Sequence, residues 1–373
     1  MENLQQIENV LHNPCPSCGG KLLYSAEYQQ LSCDYCGYKE DINRENDEVE
    51  EQALHDAVLN ASMFTPEDVG EKVVDCTNCG AKYMLQVSDV QLECPFCGSH
   101  KVNLEAYDHN LIQPLGILPF QIPRKEALNK FNNWIKKGWF HPNKLKQLSD
   151  LEKIHGVYIP FWTYDAQTES DWKGEAGHYY YETERVYVDG KWQSKQVQKV
   201  RWTHRSGHLS HFFDDVLVVA SKGLTNPKFI RILTYRLDEV INFDPRLILG
   251  WEAEVYSIEV DGGYEIADKI MDDRIRGMCI SRMGGDTYRN LKINTDKSGQ
   301  TFKLIILPVW ICSYMYNNKI YQFVINGQSG RIGGEKPLSY YKIAFAVIGF
   351  IAIVFIIAQL FGGEAALSFM VPQ

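Results

Sequence analysis

The sequence predicts a multidomain chain rich in β-strands, with two small metal-stapled modules at its start and one apolar helix near its end. Three observations predict this organisation. A cysteine pattern occurs twice, the middle region shows strand-like alternation with hairpin turns, and an 18-residue stretch near the end is almost entirely apolar. With 373 residues, 45% of them hydrophobic, the chain is long enough for several domains and is not mainly disordered.

The cysteine pattern consists of two Cys-x-x-Cys pairs separated by fourteen residues, and the whole pattern recurs 61 residues later. The first set is Cys15, Cys18, Cys33 and Cys36, and the second set is Cys76, Cys79, Cys94 and Cys97. The residues that repeat with them at the same separation are Gly19 with Gly80, Lys21 with Lys82, Leu31 with Leu92, and Gly37 with Gly98. The match indicates a tandem repeat of one module.

The chemistry of this spacing favours zinc. Two Cys-x-x-Cys-Gly turns that face each other across a hairpin supply four thiolates in a tetrahedron, which suits Zn²⁺. Four protein ligands leave no position for a catalytic water, so we expect two structural zinc ions. Disulfides and redox pairs are the alternatives. The first residues lack the basic and apolar regions of a secretion signal, and redox pairs are not expected as matched sets of four.

The spacing places one zinc ribbon at residues 1–42 and a second at 73–105. Between them, residues 43–72 are predicted to form an acidic linker with a short helix near Glu50–Leu59. The run Glu40–Gln52 holds seven carboxylates and one arginine, and it is either a solvated linker or an acidic docking segment. Residues 1–105 carry 19 Asp+Glu and 6 Lys+Arg, a net charge of −13, so this N-terminal region is expected to repel nucleic-acid phosphate.

Residues 106–326 are predicted to form an α+β domain. Helical periodicity begins at Pro123 and continues to about Lys137. The basic stretch Arg124–Lys153 is either a helix packed on its sheet with solvated lysines or a surface for anionic lipid or nucleic acid. Asp189-Gly190 predicts a hairpin turn, and Pro160 inside a strand-like run predicts an edge strand or a bulge. A second helix is expected after Gly263, ending near Met283.

Two short segments of this region resemble each other. Ile159-Pro160-Phe161-Trp162-Thr163-Tyr164 is echoed by Leu307-Pro308-Val309-Trp310-Ile311-Cys312-Ser313-Tyr314, and each follows a helical stretch. The echo is the basis for the hypothesis that the region contains two half-repeats, at about 118–225 and 226–326.

The end of the chain predicts a membrane anchor. Residues 327–343 are a Gly-rich juxtamembrane linker, and residues 344–361 form an apolar stretch about 27 Å long as a helix, close to the thickness of a bilayer core. Lys336 and Lys342 precede this stretch, while residues 362–373 contain no Lys or Arg. The positive-inside rule therefore predicts a cytoplasmic N-terminal bulk and a short extracytoplasmic tail. The alternative is a buried helix of a soluble protein.

The motifs of common enzymes are missing from the sequence. It contains neither a Gly-x-x-x-x-Gly-Lys-Ser/Thr phosphate loop nor a Gly-x-Ser-x-Gly nucleophile elbow. His204, His208 and His211 form a weak candidate metal cluster, and strand-surface histidines explain the same spacing. We therefore predict that the protein is not an enzyme and has no catalytic residues.

The chain resembles bacterial zinc-ribbon membrane proteins of the transcription-factor-IIB type, some of which are labelled as relatives of the primosomal helicase. The motifs that carry the resemblance are the Cys-x-x-Cys pairs, Val157-Tyr158-Ile159-Pro160-Phe161-Trp162, Leu307-Pro308-Val309-Trp310, and Phe323-Val324-Ile325-Asn326-Gly327-Gln328-Ser329-Gly330. Some of these proteins are encoded beside flotillin-like (SPFH) and phage-shock-protein-A-like (PspA) proteins. The resemblance implies eight zinc-binding cysteines, a membrane span and a role in membrane stress.

These observations favour a zinc-binding membrane adaptor that recruits or organises a scaffold or membrane-stress protein. The expected partner is an SPFH-like protein, a PspA-like protein or a zinc-ribbon paralogue. The alternative functions are a ribbon protein that binds nucleic acid in replication or transcription at the membrane, and an unrecognised enzyme in the β-rich region.

Overall fold

The computed structural model describes residues 14–42, 49–56, 63–64, 71–86, 94, 96, 99, 102–105, 111–142, 154–188, 190–224, 226–317 and 319–361. In chain order, the first strands are β1 Leu22–Ser25, β2 Gln30–Cys33, β3 Lys39–Glu40, β4 Gln52–Ala53, β5 Met63–Phe64, β6 Glu71–Cys76, β7 Lys82–Gln86, β8 Val102–Glu105, β9 Leu111–Ile112 and β10 Gly116–Ile117. The later strands are β11 His155–Val188, β12 Lys191–Val219, β13 Ile241–Asn242, β14 Glu252–Val255, β15 Thr287–Tyr316, β16 Lys319–Asn326 and β17 Ile332–Gly334. The α-helices are α1 Arg124–Lys136, α2 Pro227–Ile230, α3 Val260–Met283 and α4 Tyr340–Phe361.

The two cysteine modules enter the fold in different ways. Module 1, the described residues 14–42, forms its own three-stranded antiparallel sheet in the order β1-β2-β3. Module 2, the described residues between 71 and 105, places β6 between β7 and β8, and β7 also pairs with β14. Module 2 is therefore continuous with the 12-stranded central sheet, and module 1 is a separate sheet beside it.

The centre of the large sheet is the antiparallel pair β11 and β15. A short strand runs parallel to each of them on the outer side: β10 beside β15 and β14 beside β11. In the order β10-β15-β11-β14, each long strand therefore has a short parallel strand on its outer side, so the two halves of this part of the sheet are arranged alike.

The two echoing segments occupy equivalent positions in this arrangement. Ile159 and Leu307 are directly paired on β11 and β15. The Trp162 indole N–H donates to the Ile258 carbonyl just before α3, at 2.8 Å, and Trp310 donates to the Ile122 carbonyl just before α1, at 2.9 Å.

The ends of the hairpins β11–β12 and β15–β16 are also bonded in equivalent ways. The N–H of Ala220 donates to the carbonyl of Pro160, and the N–H of Gly327 donates to the carbonyl of Pro308. The residues before α3 and before α1 thus accept equivalent bonds from Trp162 and Trp310. The division into two half-repeats stays a prediction.

Pro160 lies in a central strand, so the expectation of an edge strand at this residue is wrong. On one side, β11 is paired with β15 throughout this stretch; on the other side its neighbour changes from β14 at Tyr158 to β12 at Phe161. Proline lacks an N–H, and it is tolerated here because the residue lies between the two neighbouring strands. The register irregularities of β11 lie at Tyr164–Gln167 and at Lys173–Glu175 instead.

Helix α3 begins at Val260, so Gly262 and Gly263 lie within its first turn rather than before it. A Cβ at Gly263 would lie 2.2 Å from the Tyr164 hydroxyl and 2.7 Å from the Trp162 ring. Glycine at this position therefore allows α3 to approach the sheet closely. Farther along, Met271, Ile275 and Cys279 pack against residues of the long strands such as Trp172 and Phe213.

Strands β11 and β12 extend beyond the rest of the sheet. The last pair between β11 and β15 is Gly177 with Thr287, whereas β11 and β12 remain paired as far as Val188 and Lys191. We call residues 178–201 the distal hairpin. It is two-stranded among the described residues, and its turn contains Gly190 with φ of 76°, in agreement with the predicted hairpin.

Two predicted linkers contain regular structure. Within 43–72, the predicted helix near Glu50–Leu59 is replaced over its described part by β4, paired with β15, and a 3₁₀ turn at Leu54–Asp56. Residues 43–48, 57–62 and 65–70 lie outside the described residues. Within 327–343, β17 pairs with β16, which ties part of the Gly-rich segment to the sheet.

Candidate metal centres and their surroundings

The first centre is formed by the four cysteines of module 1. Their Sγ atoms all lie within 4.8 Å of one another, with 3.5 Å between Cys15 and Cys36 and 3.6 Å between Cys18 and Cys33. Four sulfurs at about 2.3 Å from a tetrahedral zinc ion are about 3.8 Å apart, so these separations are close to those of a metal site. They are much longer than the roughly 2.05 Å of a disulfide bond.

The backbone explains why the sulfurs converge. In each of the three fully described turns, the cysteine N–H donates to the carbonyl five residues later, and the glycine N–H donates back to the cysteine carbonyl. The bonds to the later carbonyl are Cys15 to Gly20 at 2.6 Å, Cys33 to Tyr38 at 2.9 Å and Cys76 to Ala81 at 3.0 Å. Gly19, Gly37 and Gly80 adopt φ of 73°, 76° and 75°, which favours glycine at the fourth position after each leading cysteine.

The second centre repeats this geometry as far as it is described. Cys76, Cys79 and Cys94 place their Sγ atoms within 4.8 Å of one another, and the distance from Cys79 to Cys94 is 3.8 Å. The N–H of Cys94 donates to the carbonyl of Ser99 at 2.9 Å, which is the same turn a fourth time. Cys97, the predicted fourth ligand, lies outside the described residues. Both clusters could hold a metal ion.

The electrostatics of the first centre favour a bound cation. The backbone N–H of Tyr38 and the nearby thiols lower the pKa of Cys36 to about 7. The Gly20 amide acts in the same direction on Cys18, but the thiols of Cys36 and Cys33 outweigh it and raise that pKa to about 12. Four thiols this close cannot all ionise unless a positive charge lies among them, and a divalent metal ion provides that charge.

Module 1 packs on the central domain through its buried Tyr24, Ala26, Leu31 and Ile42, which share a hydrophobic cluster with Phe120. Polar contacts surround this cluster. The Tyr24 N–H donates to the Leu249 carbonyl at 3.1 Å, and the Trp251 indole N–H donates to the Tyr24 carbonyl at 3.0 Å. Trp251 also stacks on Phe120, with ring centroids 4.0 Å apart. The Gln29 side chain, whose backbone has φ of 55°, donates to the Phe120 carbonyl at 2.6 Å. The cysteine end of the module remains at the surface, since Cys18 and Cys36 are exposed.

Module 2 is buried in the central domain. Its Cys76, Ala81, Tyr83 and Phe96 share a hydrophobic cluster with residues of the long strands, among them Phe161. Glu254 on β14 is opposite Tyr83 on β7 and is 3% exposed. Burial raises the pKa of Glu254 to about 8, and the Ser221 hydroxyl donates to its carboxyl at 2.6 Å. This carboxyl is therefore largely protonated at neutral pH, which makes its burial tolerable.

A cluster of four carboxylates also lies at the base of the long strands, and the sequence did not predict it. Glu51, Asp165, Asp214 and Asp215 have carboxylate oxygens within 4.8 Å of one another. The Lys303 ammonium lies 3.0 Å from Glu51 and 2.9 Å from Asp215, so a positive charge is already present. The cluster fastens the segment around β4 to the sheet, as does the Thr301 hydroxyl, which donates to Glu51 at 2.5 Å. The four residues come from three distant segments, so their proximity depends on tertiary structure.

The histidines of β12 do not converge on one point. His208 bridges Asp171 and Glu169 on the neighbouring strand, at 2.9 and 2.8 Å, while the His211 ring packs against Phe213. His204 is 3.9 Å from Glu175. The contacts of His204 and His208 are cross-strand pairs, and that of His211 is with a neighbour on its own strand. All three agree with the simpler interpretation, strand-surface histidines.

Helix α4 contains 22 residues, from Tyr340 to Phe361, and includes the predicted span 344–361. Its segment Tyr340–Gln359 has a mean hydropathy of 2.5 and none of its apolar window is buried against the rest of the chain. The helix is long and apolar enough to cross a membrane. Residues 362–373 lie outside the described residues.

No family model matches the chain. The chain is similar to a protein of Bacillus subtilis (strain 168) described as "Uncharacterized protein YdjG", with 25% identity over 338 residues, which is 90% of this chain and 92% of that protein. No solved structure matches it.

Proposed function

We propose that the protein is a non-enzymatic, zinc-binding adaptor that is anchored in the cytoplasmic membrane by α4, with its N-terminal bulk in the cytoplasm. In this proposal both cysteine clusters hold structural zinc, with Cys97 as the fourth ligand of the second. The observation that carries the proposal is the distal hairpin, which extends past α3 and β15 and exposes large aromatic side chains.

One face of the distal hairpin is aromatic and almost uncharged. Strand alternation and the register place Tyr179, Tyr181, Tyr187 and Trp192 on this face, which we call the aromatic face, with Arg185 as its one charge. Tyr181, Tyr187 and Trp192 are 65%, 62% and 69% exposed. A two-stranded hairpin is marginally stable by itself, and clustered exposed aromatic residues mark interaction sites. A protein partner would stabilise this element.

The hairpin is also held far from α4. The Trp134 ring, near the entry to α4, lies 5.9 Å from Phe323, which pairs with Cys312 on β15. The distal hairpin begins at the other end of β15, beside Thr287. At about 3.3 Å per residue, the strand between these points has a length of at most roughly 80 Å. An adaptor with this shape would present its aromatic face well away from the bilayer.

The proposed partners are an SPFH-like or PspA-like protein, or a zinc-ribbon paralogue. Glu51, the last carboxylate of the acidic run, is already engaged by Lys303 and Thr301. The aromatic face is therefore a better candidate contact than the acidic run. Deletion of residues 1–105 would remove β7, the partner of β14, and expose the hydrophobic cluster around Phe161. Point variants therefore give a cleaner test than this deletion.

The test uses a fluorescent SPFH-like protein co-expressed with the full chain. We expect membrane foci with the natural chain and dispersed fluorescence with Tyr181→Ser combined with Trp192→Ser. Tyr180→Ser is the matched control, because Tyr180 lies on the opposite face of the same hairpin. Foci that persist unchanged in the double variant would contradict the proposed role of the aromatic face.

A second candidate function, binding of nucleic acid, is favoured by the charge of β12. Between Lys191 and Phe213 this strand carries five Lys+Arg and no Asp or Glu. Such a row of cations can contact phosphates, and binding of this kind weakens steeply with salt. Lys199 is already paired with Glu182 and Glu184, so the test uses other lysines of the row. If the full chain bound single- or double-stranded DNA or RNA at physiological salt, and Lys191→Gln with Lys195→Gln removed the binding, this second function would be favoured.

A further inference from the structure

The turn after α1 is hydrogen-bonded to the chain where α4 begins. The Ser339 N–H donates to the Phe140 carbonyl at 2.7 Å, and a ring nitrogen of His141 lies 2.9 Å from the Pro337 carbonyl. From inside α4, the Lys342 ammonium donates to the His141 carbonyl at 2.8 Å. These bonds join residues almost 200 positions apart and fix the turn beside the first residues of α4.

Lys336 adds a second set of contacts to the same joint. Its ammonium donates to the Trp134 carbonyl at 2.5 Å and to the Lys137 carbonyl at 3.1 Å, and it lies 4.0 Å from the centre of the Trp134 ring. The carbonyls at the C-terminal end of α1 carry partial negative charge, so a cation is favourable there. The segment before α4 is thus attached to the central domain rather than a free joint.

The turn after α1 exposes two large apolar side chains. Trp139 is 68% exposed and Phe140 is 41% exposed, with their rings 5.5 Å apart. Tyr340 and Tyr341, which begin α4, are 81% and 83% exposed. The four aromatic residues therefore lie around the entry to an apolar helix, with the exposed cations Lys136 and Lys137 nearby.

We propose that Trp139 and Phe140 insert into the interfacial layer of the bilayer that α4 crosses, as a second membrane contact of the cytoplasmic domain. This inference rests on the proposed membrane span. A lipid bilayer is the favoured occupant because the exposed apolar surface is continuous with α4, and because Trp and Tyr concentrate at the headgroup level. Lys136 and Lys137 suit the same surface, since nearby cations are attracted to anionic lipid.

Two membrane contacts fix the orientation of the domain, which a single helix with a flexible joint would leave free. The Trp139 and Phe140 contact would hold the end of the sheet near Cys312 at the bilayer. The distal hairpin, at the other end of the long strands, would lie far along the sheet from this contact.

The experiment places an environment-sensitive fluorescent amino acid at single positions of the full chain, reconstituted in vesicles that contain anionic lipid. Quenching by brominated lipid reports contact with the membrane. The label replaces Trp139 in one protein and Trp192 in a second, which is the matched control because Trp192 is 69% exposed but lies on the distal hairpin. A third protein carries the label at Phe350 within α4, as the test of the span itself.

We expect strong quenching at position 350. Quenching at position 139 should be several-fold stronger than at position 192, and the emission at position 139 should be blue-shifted. Quenching at Phe350 with equal, weak quenching at the other two positions would overturn the second contact while leaving the span intact. Weak quenching at all three positions would overturn the span and the second contact together.

Discussion

Modules 1 and 2 share their cysteine spacing and their backbone turns, yet module 1 has a sheet of its own and module 2 is part of the central sheet. One pair of residues within the last Cys-x-x-Cys turn of each module differs in the same way. Tyr35 and Phe96 are counterparts in the 61-residue repeat, and Tyr35 is 83% exposed whereas Phe96 is fully buried. Equivalent cysteine motifs can therefore have different structural roles, according to the apolar surface that each module presents.

The largest expected difference concerns loss of one ligand in each module. Cys76→Ser should destabilise the whole central domain, whereas Cys15→Ser should unfold module 1 locally. Zinc binding by small modules supplies roughly 10 kcal/mol or more of folding free energy, comparable with the total stability of a domain. The measurement is thermal unfolding by circular dichroism, with the zinc content of each protein as a control. Equal effects of the two substitutions would contradict the distinction between the modules.

A smaller contrast is expected for the counterpart aromatic residues. Phe96→Ala should lower the free energy of unfolding by about 3–5 kcal/mol, since it leaves a cavity in the buried cluster. Tyr35→Ala should change it by less than about 0.5 kcal/mol, as is usual for an exposed side chain. Chemical unfolding of the two variants beside the natural chain gives both values. A large effect of Tyr35→Ala would show that module 1 is packed more extensively than the structure indicates.

The attachment of β4, which lies between the modules in the chain, should depend on pH. Burial, and then the hydrogen bond with Glu51, raise the pKa of Asp165 to about 7, well above the roughly 3.9 of an unfolded aspartate. The folded state therefore binds more protons between about pH 4 and pH 7, so stability should fall as the pH rises through this window. We expect a loss of about 2 kcal/mol, less than the full shift of Asp165 would give, because the same hydrogen bond contributes to lowering the pKa of Glu51, which binds fewer protons in the folded state.

Asp165→Asn removes this titration while keeping an oxygen that accepts the Asp215 N–H, a bond of 2.7 Å in the natural chain. The variant should show a flatter stability profile from pH 5 to pH 8 in chemical unfolding at several pH values. The same slope in both proteins would assign the pH dependence to other groups.

The smallest effect is expected at the contact between module 1 and the central domain. Trp251→Phe keeps an aromatic ring against Phe120 but loses the hydrogen bond to the Tyr24 carbonyl, at a cost of about 1 kcal/mol. Hydrogen exchange of β1 and β2 should accelerate, while exchange of β6 and β7 stays unchanged. Faster exchange in both modules would mean that their stabilities are coupled.

The cysteine clusters were predictable because their ligands follow one another at a fixed local spacing, and the chain turns that bring the sulfurs together are encoded by Gly19, Gly37 and Gly80. The apolar helix near the C-terminus was predictable for a similar reason, because composition along one continuous segment defines it. Helix α1 and the hairpin turn at 189–190 likewise depend on local periodicity and turn residues.

The sequence could not predict which strands become neighbours. Pro160 suggests an edge when it is considered alone, and its position in a central strand depends on where β14 ends and β12 begins. The cluster of Glu51, Asp165 and Lys303 likewise joins distant segments. The segment before α4 has the composition of a flexible linker, yet β17 and Lys336 attach it to the domain through pairing that only the tertiary structure reveals.

The most direct test of the account is a stepwise chelation of the purified full chain, with released zinc and hydrogen exchange followed in the same sample. We expect two zinc ions per chain. Loss of the module 1 ion should expose the amides of β1 and β2, and loss of the module 2 ion should expose β14 together with β6 and β7. Fewer than one zinc ion per reduced chain, or continued protection of β14 after both ions have been removed, would contradict it.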